Sequence, residues 1–175
     1  DAGSLTLSAD LIKVSGGSEL VATGSGDGGL VQVGGSWQNT DPRVRQATQT
    51  WMQKGSSVDV SSTGSGDGGT IVIWSDLSNP SGGTIAQGAL LARGGPEGGD
   101  GGRIETSGSF LQAQPERVDV SALNGVSGEW LLDPYNITIG AGSSSGIIPE
   151  SSSGEELFKS SATASLVDAS ILSSY

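Results

Sequence analysis

The side chains best able to do chemistry in this chain are carboxylates. Asp59 and Asp119 stand in matching phrases, Val58-Asp59-Val60 and Val118-Asp119-Val120. Two acids projecting from one side of different strands are the minimum for acid–base work on a polysaccharide. The plainer reading makes them outward polar positions of alternating strands. Asp27 and Asp67 sit in a second pattern, the hexapeptide Gly-Ser-Gly-Asp-Gly-Gly at 24–29 and 64–69, with a shorter copy around Asp100 at 98–102. Acids among glycines raise the question of calcium. The order differs from the calcium-binding β-roll repeat, where the Asp follows several glycines, and no EF-hand loop is present. With no His and no Cys, the chain has no imidazole base, no Ser-His-Asp triad, no Cys-His pair and no disulfide. The expectation is a protein that is not an enzyme, with no metal and no cofactor.

The glycine copies are more informative about the elements that carry them. Each launches an apolar run: Leu30-Val31-Gln32-Val33, Thr70-Ile71-Val72-Ile73-Trp74 and Arg103-Ile104-Glu105-Thr106. A recurring corner at this spacing marks a repeat architecture. The structural turn residues are Gly26, Asp27, Gly28, Gly29, Gly66, Asp67, Gly68, Gly69, Asp100, Gly101 and Gly102. The aspartates are expected to accept backbone N–H bonds and hold the corners, and at least one glycine in each hexapeptide is expected at positive φ.

Short strands follow one another from Ser4 to Ile139, most alternating apolar and polar, punctuated by Gly, Ser, Asn and Asp. The class is all-β: sandwich, barrel or parallel β-helix. Corners of glycine in place of two-residue Asn-Gly hairpins favour the β-helix. Its leading strands should stack in register, about 4.8 Å apart.

Composition agrees. Of 175 residues 30 are Gly and only 34% are hydrophobic, enough for the narrow core of a solenoid. The net charge of −11 argues against nucleic acid and anionic membranes as partners. No run reaches the ~18 apolar residues of a membrane span, and no signal peptide is visible at Asp1, as in a processed or excised fragment.

One polar insertion, Gln38–Gln49, interrupts the repeats and holds Arg43 and Arg45. It reads as a surface loop between coils, or as a loop that touches a ligand. Trp37 and Trp74 follow equivalent strands, and their indoles either pack against a loop or offer a sugar-stacking face. Arg43, Arg45, Trp37 and Trp74 are thus the candidate ligand contacts. Asn136-Ile137-Thr138 makes Asn136 a candidate glycosylation acceptor. Residues 140–163 form a Ser/Gly-rich loop or linker after the coils of 1–139. Leu166, Val167, Ile171, Leu172 and Tyr175 fall near helical spacing, so 164–175 is expected to be a short helix leading toward a further coil.

Gly-Asp-Gly-Gly-Thr-Ile-Val-Ile-Trp-Ser-Asp (66–76), Gly-Gly-Asp-Gly-Gly-Arg-Ile-Glu-Thr-Ser-Gly (98–108), Val-Asp-Val-Ser-Ala (118–122) and Leu-Leu-Asp-Pro-Tyr-Asn-Ile-Thr-Ile (131–139) form one ordered series. Together with Gly28–Gly35, this series resembles the shaft of filamentous-haemagglutinin-like exoproteins of the two-partner secretion system. The resemblance implies a right-handed parallel β-helix, secreted through an outer-membrane pore partner of a Gram-negative bacterium. It further implies an elongated adhesin, extracellular or at the cell surface, meeting a glycan or protein on a host or neighbouring cell. The family's N-terminal secretion domain is not visible here, which points to mid-shaft. A self-assembling filament subunit is the alternative, since uncapped coil ends expose edges that pair.

Overall fold

The computed structural model describes residues 2–134 in full, and the backbone of 137–140, 147–148, 159–160 and 165–168. Four coils of three strands each follow one another. The first holds β1 (Ser4–Leu7), β2 (Leu11–Val14) and β3 (Glu19–Val21). The second holds β4 (Leu30–Val33), β5 (Gln49–Met52) and β6 (Ser57–Asp59), and the third β7 (Thr70–Trp74), β8 (Gly83–Ala86) and β9 (Ala89–Leu91). The fourth holds β10 (Arg103–Gly108), β11 (Phe110–Ala113) and β12 (Arg117–Asp119), and β13 (Glu129–Pro134) opens the next. Like strands stack into three parallel sheets, in the orders β1-β4-β7-β10-β13, β2-β5-β8-β11 and β3-β6-β9-β12. The fold is a parallel β-helix. The expected register holds along the first sheet, where Val31 faces Ile71 and Ile71 faces Ile104.

Alternation along the strands explains the core. Every second side chain enters the bore, and parallel register puts like positions in columns. One column runs Leu5, Val31, Ile71, Ile104, Trp130; another runs Leu20, Val58, Leu90, Val118. Val31, Val58, Ile71, Leu90 and Ile104 have no exposed surface. At about 25 cal/mol per Å² such columns supply most of the driving force for stacking. Polar groups that enter the bore are satisfied at the bend between the first two sheets. Thr50 Oγ1 donates to the Trp74 carbonyl at 2.6 Å, and Thr84 Oγ1 to the Ser107 carbonyl at 2.7 Å.

Coil length varies because insertions leave at one place. Ladder partners lie 26 residues apart in the shortest coils and 40 and 33 in the second and third. Most of the extra chain is in the loops 34–48 and 75–82, which both join the first sheet to the second and so lie side by side.

The helix expected over 164–175 is corrected at 165–168; the rest of that segment lies outside the described residues. Ser165–Asp168 is a strand, β17, paired in parallel with β14 (Ile137–Gly140). A short isolated helix is marginal, whereas a parallel ladder satisfies the same backbone groups at once. Within the expected linker, β15 (Ile147–Ile148) pairs antiparallel with β16 (Lys159–Ser160).

Candidate functional site

The corner residues form a ladder along the stack. Asp27 Oδ1 accepts the Asp67 N–H at 3.0 Å, Asp67 Oδ1 accepts the Asp100 N–H at 2.7 Å, and Asp100 Oδ1 accepts the Val126 N–H at 2.8 Å. Each carboxylate therefore caps the corner of the next coil. The backbone repeats the pattern: the N–H groups of Gly28, Gly68 and Gly101 reach the carbonyls of Asp67, Asp100 and Val126. The expected positive φ is absent from 24–29 and 64–69; it occurs at Gly17, Gly34, Gly55, Gly98 and Gly99. Glycine is required in the two hexapeptides for a different reason, close approach. A Cβ on Gly28 would strike the Val60 carbonyl oxygen, and one on Gly68 the Ala92 carbonyl oxygen. Gly26, Gly29, Gly66, Gly69 and Gly102 lie in the same stacked corners.

Asp59 and Asp119 share an outward column, with Leu91 between them in register. They are thus two strand spacings apart, roughly 10 Å. Both are engaged. Asp59 accepts the Ser61 N–H at 2.9 Å and pairs with Arg93 at 3.7 Å. Asp119 accepts the Ser121 N–H and hydroxyl at 3.1 and 2.6 Å and pairs with Arg117 at 2.5 Å. Burial pushes the Asp119 carboxyl up, but the Ser121 and Arg117 hydrogen bonds outweigh it and hold the group below its ordinary value. An acid tied in this way is a poor proton donor near neutrality. Among the described residues no three His, Cys, Asp or Glu gather as metal ligands, and no helix is long and apolar enough to cross a membrane.

A cleft lies where the two insertions meet. It has a volume of about 280 Å³ and is lined by Gln38, Asn39 and Gln46 of the first loop, Asp76, Leu77 and Ser78 of the second, and Trp74 and Asp133. The first loop leaves through a closed neck, where the Ala47 N–H donates to the Gly34 carbonyl at 2.7 Å and the Asp76 N–H to the Ala47 carbonyl at 2.8 Å. From there 35–46 folds back over the outer face of the first sheet. There the Gln38 N–H reaches Glu105, which with Gln32 and Val72 is outward by alternation and yet buried.

The candidate ligand contacts are dispersed. Arg43 makes a two-point pair with Asp41 at 2.9 and 2.7 Å, which draws the Asp41 carboxyl down to about 2. Arg45 pairs with Asp10 across coils at 3.2 Å. Trp37 is half-buried, and its ring lies 4.3 Å from the Arg103 guanidinium. Trp74 offers no stacking face: it is 2% exposed, packs against Gly35 in the neck and donates its Nε1–H to Gln46 at 3.0 Å. The two indoles are also not equivalent, since Trp74 ends β7 while Trp37 lies in the loop beyond β4. Asn136 lies outside the described residues.

Glu105 escapes a reading by alternation, which makes it one more outward polar residue. It is fully buried, accepting the Gln38 N–H at 2.8 Å and the Ser107 hydroxyl at 3.0 Å. Burial pushes its carboxyl up; those two hydrogen bonds work against this, the charge of Asp133 adds to it, and that of Arg103 opposes it. One signal was present in the sequence. The run Ile71-Val72-Ile73-Trp74 does not alternate, which marks a strand covered on both faces.

No family model matches the chain, and a search of curated proteins finds no match. Among solved structures, the chain is similar to the HMW1 secretion domain from Haemophilus influenzae, with 27% identity and a TM-score of 0.59. The likeness covers 75% of this chain and 32% of that one, so the chain spans about a third of its neighbour's length.

Proposed function

We propose that the chain is a structural and adhesive segment of a secreted bacterial exoprotein of the two-partner type, extracellular or held at the cell surface. Its partners in this reading are an outer-membrane secretion pore and a glycan or protein on a host or neighbouring cell. The observation that carries the reading is the likeness to the HMW1 secretion domain, at 27% identity on a parallel β-helix. The fold supplies a reason as well. A narrow core in stacked coils builds a long rigid body from few apolar residues, and loops at one bend can present contacts without disturbing it. The contact surface in this reading is the loop 34–48 with its cleft. The chain does no catalysis here: Asp59 and Asp119 serve as turn caps and ion-pair partners.

A second reading follows from the same neighbour. That protein is a secretion domain rather than a shaft, so this segment would belong to the part of its exoprotein that engages the pore, and not to mid-shaft. Immobilised glycans and cell surfaces test the first reading: the purified chain is expected to be retained, and no sugar product released. Product release that is lost in Asp59→Asn or Asp119→Asn would overturn the non-catalytic assignment. Retention by a pore partner's soluble domain, with none on glycans or cells, would favour the second reading.

A further inference from the structure

Glu105 occupies the middle of an outward face and yet has no exposed surface. Ile104 lies in the core and Thr106 is in register with the core residue Ile73, so the side chain between them faces out, where the Gln38 N–H of the loop 35–46 meets it. That loop is an Ω-shaped excursion whose neck is fixed by the Ala47 and Asp76 hydrogen bonds. Its tip is strained. Gln38 and Asn39 take φ of 46° and 52°, the left-handed region, which Asn enters readily and Gln seldom does. A turn of this kind persists where its surroundings hold it. Here the Gln38 N–H is held by Glu105 Oε2, and the Trp37 ring by the Arg103 guanidinium.

The cover over a carboxylate has a thermodynamic consequence. A closed loop removes water from Glu105, which disfavours its charge, whereas an open loop returns the group to solvent. The charged groups facing it are few. Arg103 lies on its own strand and Asp133 on β13, Glu129 is in register with Arg103, and Asp76 lines the adjoining cleft. Within the loop, Asp41 and Arg43 neutralise each other, and Arg45 is paired to Asp10. Gln32 and Val72, from β4 and β7, carry no charge.

We propose that residues 35–46 form a proton-linked flap: closing it over Glu105 takes up a proton, so acid holds it shut and rising pH releases it, uncovering Glu105. The direction follows from linkage. The closed state binds the proton more tightly than the open one, because its carboxyl is raised by burial. Between the ordinary Glu value and the raised closed-state value, each added pH unit multiplies the opening constant by up to about tenfold. Above that window both states are ionised and the opening constant levels off. Protonation does not cut the tie, since a neutral carboxyl keeps an oxygen to accept the Gln38 N–H.

The test is the amide-exchange protection of Gln38, corrected for intrinsic exchange, followed by NMR from pH 4 to 8 in the whole chain. Protection of Gln38 is expected to fall as pH rises and then level, while that of Ala47 in the neck shows no such step. Glu105→Gln keeps an acceptor but cannot titrate, so the step is expected to vanish. Asp133→Asn removes a charge that raises Glu105, so the midpoint is expected to move to lower pH. A Gln38 protection that is flat or rises with pH, a step that survives in Glu105→Gln, or a midpoint unmoved in Asp133→Asn would each overturn the proposal.

Discussion

Replacing Gly68 with Ala puts the least possible atom where the corner has no room. The new Cβ would meet the carbonyl oxygen and carbon of Ala92 and the amide nitrogen of Gly102, all backbone atoms of the neighbouring corner. Backbone cannot rotate aside as a side chain can, so the corners must separate. Separation breaks the Gly68 N–H bond to Asp100, the Arg103 N–H bond to Gly69 and the Asp100 N–H bond to Asp67 Oδ1. At about 1 kcal/mol net for each, three broken bonds amount to roughly 2–4 kcal/mol. Gly3→Ala is the matched control, because nothing lies within 4 Å of the Cβ it would add. Urea unfolding of both variants measures the difference as a shift in midpoint at unchanged slope. Equal midpoints for Gly68→Ala and Gly3→Ala would refute close approach as the reason for glycine at the corner.

Asp67→Ala leaves the Asp100 N–H without its acceptor and should lower stability by about 1–2 kcal/mol, while Asp67→Asn, which keeps an oxygen, should recover most of it; thermal melts compare the two. Trp74→Ala empties a buried site and frees Gln46, with an expected loss of about 3–5 kcal/mol in denaturant unfolding. Trp37→Ala should lose only about 0.5–1 kcal/mol, the scale of its contact with Arg103. The Asp119 carboxyl is held below its ordinary value, so its contribution is present above that value and fades as pH falls through and below it. Asp119→Asn should therefore lower stability at pH 5 and flatten the acid limb between pH 4 and 2, measured by denaturant titration at each pH.

The strands and their register were legible because both are local. Val58-Asp59-Val60 and Leu5-Thr6-Leu7 alternate, and each glycine corner announces the strand that follows it. What covers a strand's outer face is a different matter. Glu105 is buried by a loop that leaves the chain some sixty residues earlier, at a neck made by Gly34 and Ala47. Local polarity therefore does not reveal the cover over Glu105, and of the two readings it leaves for Trp74, packing and sugar stacking, the structure shows packing. The glycines of 24–29 and 64–69 were recognised as corners, but their role depends on the adjacent coil, which a single corner does not reveal. Ser165–Asp168 shows the same limit: the helical spacing read from Val167 and Ile171 gives way, over 165–168, to a partner strand at Ile137–Gly140.

Successive corners stack into one parallel solenoid, with every coil docked in register on the last. Inter-strand proton contacts in a uniformly labelled chain test it most directly. Parallel stacking places contacts from Leu30 to Thr70 at one end of the strands and from Val33 to Ile73 at the other, continued from Ile71 to Ile104. Contacts from Leu30 to Ile73 and from Val33 to Thr70, the signature of an antiparallel hairpin pair, would contradict it.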